Sequence, residues 1–463
     1  MLDRQTVRRS FSGASSWESL VRPRQFQGGQ SAGSLSRSRI RQHLAAVIVG
    51  IAMIPGCTQQ PQPDVRTLPE RPLRKLQSAA SRQLWPQAWQ YADAVLETHG
   101  DDADAIAAVA MVAQQLEKPD QVAELLAKAC RVESYQNDDR VRQTMIAMVA
   151  AGRLYSAIEL LEDATQPHPS RHVTRRWLYD LYINAGNTSA AKPHGQTLIR
   201  QRQFDQKLLL SINSDTSETR DAGSTTEMAR RNPDDNRPLL RRAKMLLDSG
   251  ANQDASDLLR QIVDQNPDFA PADALLGQTL AIAADRDAFL QWETKPHNDA
   301  TRSEAGYWIA KGDAAVSAGS LGDGLRYFWQ ATQRNPDLPD PWSKIRNLMP
   351  KMEISDPEFS TAITERIERL RRVQQTMDRF DRMGGISRQL ASEIATDLAG
   401  LGRLWEAEAW ASMATTLPQD KSVDVEKVRT QIIDRLNDQT PWQITDGHRE
   451  LQPELPPAVQ AKI

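Results

Sequence analysis

A small residue recurs about every 34 positions along the chain, and this period limits what the chain can fold into. The spacings in the first run are 35, 34 and 34 residues, and the whole series is Ala88, Ala123, Ala157, Ala191, Ala255, Gly324 and Ala407. Two helices approach closely only where side chains are small, so a constant period of this length indicates stacked helix–turn–helix units. A generic helical bundle rich in alanine has no reason to keep such a period. We therefore predict an all-α solenoid, which accommodates 463 residues by adding units.

Large residues and a proline keep the same phase as the small ones. Trp342 follows Trp308 by 34 residues. Pro336 stands between them, at the place where a proline would end the second helix of a unit. Gly312 and Phe328 occupy the small and large positions of the two facing helices. The pattern predicts that the large rings fill the holes beside the small residues.

This pattern, over roughly residues 74–436, resembles the tetratricopeptide repeat (TPR) family. The resemblance implies a right-handed superhelical solenoid of helix–turn–helix repeats that binds other proteins. It assigns repeat packing to Ala88, Ala123, Ala157, Ala191, Ala255, Trp308, Gly312, Phe328, Trp342, Ala407 and Trp410.

The N-terminal region carries the pattern of a bacterial export signal. Residues 44–54 form an apolar run of 11, preceded by arginines at 37, 39 and 41. Eleven residues are too few to cross a bilayer as a helix. The sequence Ile54-Pro55-Gly56-Cys57 resembles the bacterial lipobox, which implies lipidation of Cys57 and cleavage before it. The alternative is an ordinary secretory signal with a coincidental cysteine.

These features predict an exported protein that is lipid-anchored to a bacterial membrane. Thr58 and Gln59 follow Cys57, without the aspartate that often marks retention at the inner membrane. We therefore favour the outer membrane, with the protein facing the periplasm.

The charge balance argues against nucleic acid as a partner. The whole chain has a net charge of −3, and residues 1–56 hold eight arginines and two acids, a net of +6. The remainder therefore carries −9 (−3 minus +6). Phosphate contacts need clustered Lys and Arg, so we expect no nucleic-acid binding.

The search for catalytic chemistry in the sequence is negative. The sequence contains no phosphate-binding glycine loop and no CxxC or HExxH motif. His168 and His172 are four apart, but prolines flank the first, which argues against a helical metal pair. Cys130 falls on a small-residue position and is interpreted as a buried packing thiol. We predict no catalytic residue, no metal and no cofactor.

The composition divides the chain into seven parts. These are an export signal with a long N-terminal extension (1–56), a lipidated tether (57–73), a first TPR array (74–211), a polar linker or insertion (212–236), a second TPR array (237–350), a long helix with a C-terminal TPR-like pair (351–438) and a flexible tail (439–463).

Two functions remain open from the sequence. The first is a non-catalytic envelope lipoprotein that acts as a protein–protein interaction scaffold or assembly factor. Its groove would be lined by first-helix residues, with Tyr182, Trp308 and Trp342 as candidates, although the resemblance favours burial between helices for Trp308 and Trp342. The second is a helical accessory part of a larger enzyme or β-propeller system. Residues 401–410 resemble TPR segments that precede FG-GAP/UnbV-type propellers. The expected partner is a protein or peptide in the envelope, and the oligomeric state stays open.

Overall fold

The computed structural model describes residues 71–213, 222–233, 235–283, 285–418, 424–437 and 453–462. Helices and turns account for this part of the chain, which contains no strand. The all-α prediction is therefore confirmed. The export signal, Cys57 and most of the tether lie outside the described residues.

The first ten helices cover the predicted first array. They are α1 (Pro72–Ser81), α2 (Trp85–Trp89), α3 (Ala92–Thr98), α4 (Ala103–Gln115), α5 (Pro119–Val132), α6 (Asp138–Ala150), α7 (Leu154–Thr165), α8 (His172–Asn184), α9 (Thr188–Arg200) and α10 (Gln206–Ser211).

The middle helices begin inside the segment predicted as a polar linker. They are α11 (Ala222–Arg231), α12 (Arg237–Asp248), α13 (Asn252–Gln265), α14 (Ala270–Ile282), α15 (Arg286–Thr294), α16 (Asp299–Ser303), α17 (Ala305–Ser317), α18 (Leu321–Arg334) and α19 (Pro339–Leu348), followed by a 3₁₀ turn at Pro350–Met352.

The last helices are α20 (Pro357–Arg382), α21 (Arg388–Gly400), α22 (Leu404–Thr416), α23 (Val425–Asn437) and α24 (Pro457–Gln460). Where the sequence led us to expect a flexible tail, the structure places α24 against α18–α20, and Val459 is completely buried there. None of the described helices is long and apolar enough to cross a membrane.

Local sequence explains where the helices begin and end. Asp102 accepts hydrogen bonds from the backbone N–H groups at the start of α4, and Asn137 does the same for α6. Gly152 and Gly186 follow α6 and α8 with φ of 78° and 71°, a left-handed conformation that glycine adopts without a Cβ penalty. The first helix of a unit can thus turn at once into the second.

Helices pack mainly against their sequence neighbours. The pairs α4–α5, α6–α7, α8–α9, α12–α13, α17–α18 and α21–α22 each form a helix–turn–helix unit, and successive units stack. This pairing gives the chain a TPR-like solenoid fold. Helices α15 and α16 modify this pattern, because they stand between α14 and its packing partner α17.

The contacts of α22 with the first array depart from the nearest-neighbour stacking of a linear array. Helix α22 packs on α9 and α10, and one hydrophobic core contains residues of both regions, including Leu198, Leu209 and Trp410. A second hydrophobic core contains residues of α18, α19 and the first half of α20, among them Ile363. Phe380, near the end of α20, belongs to the core shared with α9 and α22, so α20 contributes to both cores. The C-terminal pair, α21 and α22, thus stacks on the end of the first array. We call the helices between them, α11–α20, the intervening helices.

Two arginines at the start of the intervening helices bind the first array. Arg231 of α11 donates to the carbonyl of Ala151 at 2.9 Å, and Arg241 of α12 donates to that of Asn184 at 2.9 Å. Both carbonyls lie at helix C-termini, where unpaired oxygens and the helix dipole favour a cation. The segment predicted as a linker therefore contributes a packed helix.

Candidate protein-binding site

The small residues of the 34-residue period lie on second helices. Ala88, Ala123, Ala157, Ala191, Ala255 and Ala407 are all completely buried, in α2, α5, α7, α9, α13 and α22 respectively. Phe328 and Trp410 are buried beside two such positions. These residues belong to the interior of the stack and are not available to a partner.

Gly312 lies at a close contact between two helices, whereas the three aromatic residues predicted for a groove differ in their exposure to solvent. A Cβ on Gly312 would lie 2.4 Å from Cε1 of Phe328, so the two helices touch at this point. Trp342 is completely buried and Tyr182 is only 7% exposed, so neither can line an open groove. Trp308 is half-buried, and its Nε1 donates to the carbonyl of Arg302 at 2.7 Å. Of the three residues predicted for a groove, only Trp308 is accessible to a ligand.

A cleft of about 290 Å³ opens between the start of α8 and the turn that joins α9 to α10. It is lined by His172, Val173, Arg176, Trp177, Leu198, Arg202, Gln203, Phe204 and Asp205. Its apolar part reaches solvent, because Val173 is 41% exposed and Trp177 and Phe204 are half-buried.

Local sequence builds one wall of this cleft. The backbone at Arg202 is left-handed, with φ of 59°, and turns the chain away from α9. Asp205 then caps α10 by accepting a hydrogen bond from the N–H of Leu208 at 2.9 Å. The short turn between these two residues holds Phe204 opposite Val173 and Trp177 of α8.

Charged groups form the rim of the cleft. Arg176 donates to both carboxylate oxygens of Asp205, at 3.1 and 3.2 Å, and to Asp180 at 3.2 Å. Burial raises the pKa of Asp180, although Arg176 opposes this shift. The guanidinium of Arg202 lies 5.6 Å from the ring centre of Trp405 and is half exposed. An apolar surface beside fixed guanidinium groups can accept an apolar side chain together with a neighbouring acidic group.

A second polar cluster lies deeper, between α7, α8 and α9. The hydroxyl of Tyr182 donates to Glu162, and its ring stacks on His194 with the centres 5.7 Å apart. A guanidinium nitrogen of Arg175 lies 3.2 Å from Nδ1 of this imidazole. Burial, with a smaller contribution from Arg175, lowers the pKa of His194 to about 4. The imidazole is therefore neutral near pH 7, and the cluster serves to pack the three helices together.

Cys130 has a packing role, as the sequence led us to expect. Sγ of Cys130 lies 3.2 Å from the hydroxyl of Thr144 in the core, and burial raises the pKa of this thiol, which disfavours the nucleophilic thiolate. Within the ranges that the structure describes, no group of three or more His, Cys, Asp or Glu residues could hold a metal ion.

Comparisons with known proteins give weak similarity to solved repeat structures. No protein-family model and no curated protein matches the chain. The crystal structure of the APC/C hetero-tetramer Cut9–Hcn1 aligns over 82% of this chain and 86% of its own, with 13% identity and a TM-score of 0.29. Yeast Tom70 aligns over 79% and 94%, with 10% identity and a TM-score of 0.26.

A third solved structure is described as a TPR protein with an unusual peptide-binding site. This protein, YrrB, aligns over 43% of this chain and 88% of its own, with 14% identity and a TM-score of 0.21. These TM-scores lie below 0.5, and the repeat architecture described above rests on the helix pairing of this chain.

The sequence did not predict the cleft. Val173 and Trp177 are four apart on α8, a spacing that marks one helix face and equally fits a buried one. Their exposure depends on the turn after α9, which leaves that face without a covering helix. An apolar helix face followed by a short, polar inter-helix turn is the signal that could have suggested it.

Proposed function

We propose that the protein is a non-catalytic scaffold of the bacterial envelope, which holds a peptide or protein partner and is anchored to a membrane through a lipid on Cys57. The observation that carries the binding role is the cleft beside α8, where Val173, Trp177 and Phe204 offer apolar surface to solvent. A ligand site typically combines such a surface with a few well-placed polar groups, here Arg176 and Arg202.

The chemistry of the cleft suggests what the partner presents. The guanidinium of Arg176 is fixed by two aspartates, whereas Arg202 is half exposed and also pairs with the buried Glu408. The apolar side chain of an apolar–acidic pair would cover Phe204 and Val173, while the acidic one would meet the exposed part of the Arg202 guanidinium and share it with Glu408. The ligand class is therefore an extended or helical peptide segment with an apolar–acidic pair.

The anchoring part of the proposal is supported by the sequence around Cys57. The apolar run of residues 44–54, the preceding arginines and the lipobox-like tetrapeptide fit export and lipidation. Two or more acyl chains on Cys57 would give stable attachment, because each buried methylene contributes about 0.8 kcal/mol. The outer membrane, facing the periplasm, is the proposed location.

Affinity capture from detergent-solubilised membranes tests the binding role. The full-length tagged chain is compared with Val173→Glu/Phe204→Ser, which alters the cleft, and with Leu290→Glu/Ile282→Ser. The control pair changes apolar residues of 45% and 70% exposure on α15 and α14. We expect one stoichiometric partner with the wild type and the control pair, and its loss with the cleft pair. Equal recovery with all three forms would exclude the cleft as the binding site.

Mass spectrometry of the purified protein tests the anchor. The expected result is an acylated mature chain that begins at Cys57, and a Cys57→Ala form that is released from the membrane fraction. An unmodified Cys57 would contradict the anchoring role without affecting the binding test. The alternative of an accessory role beside an enzyme or propeller stays a prediction from the sequence.

A further inference from the structure

Helix α1 carries its positive charges on one face. Arg74 and Lys75 lie within α1, and Arg71 and Arg82 are its N-cap and C-cap residues. Their spacings of three, one and seven residues place the four positions within a sector of about 100° around the helix axis. The opposite face is buried through Leu76 and Ala79 in the N-terminal core. We call the four residues the basic face.

Acidic residues are absent from the sequence of the basic face and the helix that follows it, and Glu70 directly precedes Arg71. The 21 residues from Arg71 to Tyr91 contain no Asp or Glu, and the first acid after them is Asp93. Arg71, Arg74 and Arg82 are exposed, and Lys75 is half-buried. The rest of the chain after residue 56 is strongly acidic, so this end of the stack is an exception.

Aromatic and apolar groups lie beside the basic face. Leu84, in the turn after α1, is 45% exposed, and Trp85 next to it is half-buried. Trp89 is also half-buried, with Nζ of Lys118 3.9 Å from its ring centre. Tryptophan beside lysine and arginine is the combination that prefers the interface between lipid headgroups and acyl chains.

The length of the preceding chain places this surface within reach of a membrane. Residues 58–70 separate Cys57 from the basic face, which is 13 residues. They span at most about 45 Å when fully extended, and about 20 Å as a flexible chain. A lipid on Cys57 would therefore hold α1 at a high local concentration beside the bilayer.

We infer that the basic face of α1, with Leu84 and Trp85, docks on an anionic phospholipid surface, so that the N-terminal end of the stack rests on the membrane. This inference rests on the proposed lipidation of Cys57 for its geometry. The contact is peripheral, because the apolar side of α1 is already buried in the core and only the charged side and Leu84 face outward. Such docking leaves the α8 cleft, on a later repeat, available to a partner.

Hydrogen exchange on the full-length protein bound to vesicles tests the docking. The protein is bound to vesicles of phosphatidylcholine alone, or of phosphatidylcholine with phosphatidylglycerol. The lipid on Cys57 attaches the chain to both, so exchange in residues 71–91 reports the docking itself. We expect slower exchange there only on the anionic vesicles, and unchanged exchange in α17 and α18.

Charge-neutralising variants make the test specific. Each lysine or arginine near an anionic surface contributes roughly fivefold to binding, so Arg71→Gln/Arg74→Gln/Arg82→Gln should weaken docking roughly a hundredfold and restore fast exchange. A matched triple, Arg286→Gln/Arg371→Gln/Arg379→Gln, neutralises exposed arginines of α15 and α20 and should keep the protection. Exchange without vesicles shows whether each variant is folded.

Several outcomes would overturn the inference. These are unchanged exchange of residues 71–91 on anionic vesicles, equal protection on neutral vesicles, and protection that survives in the first triple variant. High salt must also remove the protection, since the screening length falls from about 10 Å at 0.1 M to about 3 Å at 1 M. If the wild-type chain fails to attach to neutral vesicles, the lipid anchor is contradicted, a result separate from the exchange pattern on anionic vesicles.

Discussion

Arg202, in the turn after α9, forms an ion pair with Glu408 of α22, whose side chain is completely buried. Arg429 of α23 lies on the same carboxylate at 3.3 Å. The two arginines remain partly exposed and so keep some hydration, while the glutamate depends on them for its compensation. This group joins the end of the first array to the C-terminal pair.

Removing both arginines should destabilise the protein through the glutamate that remains. We expect Arg202→Met/Arg429→Met to lower the free energy of unfolding by about 1–3 kcal/mol, because Glu408 would be buried without a partner. Adding Glu408→Gln should recover part of this loss. Urea denaturation followed by circular dichroism measures both, with Arg286→Met as an exposed control. A further loss on adding Glu408→Gln would contradict this account.

The close approach of α17 and α18 at Gly312 gives a packing prediction. A methyl group at this position would meet the ring of Phe328 at 2.4 Å, so Gly312→Ala should cost about 1–3 kcal/mol of stability. Gly306 is on the same helix, and a Cβ there would meet only the end of the Gln278 side chain, at 3.0 Å. Gly306→Ala should therefore be neutral or slightly stabilising. Thermal denaturation of the two variants distinguishes them, and similar melting temperatures would reject the packing contact.

His194 should make stability depend on pH. Its pKa in the folded protein is about 4, below the value of 6.5 for an unperturbed imidazole. Between these values the unfolded chain binds the proton more readily, so the contribution of His194 to stability is present above pH 6.5 and is lost as the pH falls towards 4. His194→Gln should therefore lose less stability than the wild type between pH 7 and pH 5.

Denaturation midpoints at the two pH values measure this difference. Glu162 lies in the same cluster with a raised pKa, so the comparison between variant and wild type, rather than either curve alone, reports His194. His172 is exposed, and His172→Gln serves as the control variant. An identical pH response in His194→Gln would show that the imidazole is not buried in its neutral form.

The indole of Trp292 gives a prediction for the middle helices. Its Nε1 donates to the carboxylate of Asp273 at 2.7 Å, and His297 lies 2.7 Å from the other oxygen of that buried group. Trp292→Phe would leave the carboxylate short of one donor, at a cost of about 1–3 kcal/mol. Trp308→Phe removes a hydrogen bond near the surface and should cost less. Chemical denaturation of the two single variants measures the loss in free energy of unfolding for each. A larger loss for Trp308→Phe than for Trp292→Phe would contradict the prediction.

Particular residues show why the fold was predictable and the candidate site was not. Ala157 and Ala191 repeat at a fixed period, and the period alone predicts paired helices. Val173 and Trp177 have the same local pattern as buried residues, since helix periodicity marks a face and not what covers it. Trp342 shows the other side of this: the family resemblance favoured burial between helices over a place in the groove, and Trp342 is completely buried on α19, which packs against α18 and α20.

The sequence by itself determined the all-α repeat architecture of this protein, because close helix packing requires small residues at regular positions and such positions can be read in order along the chain. It also carries a local pattern around Cys57 from which export and lipidation are predicted. Only the tertiary structure decided that α22 returns to α9 and α10, that Glu408 is buried there between Arg202 and Arg429, and that the face of α8 stays open. These features depend on contacts between residues far apart in the chain, which arise from the accumulated angles of many stacked helices and leave no periodic trace in the sequence.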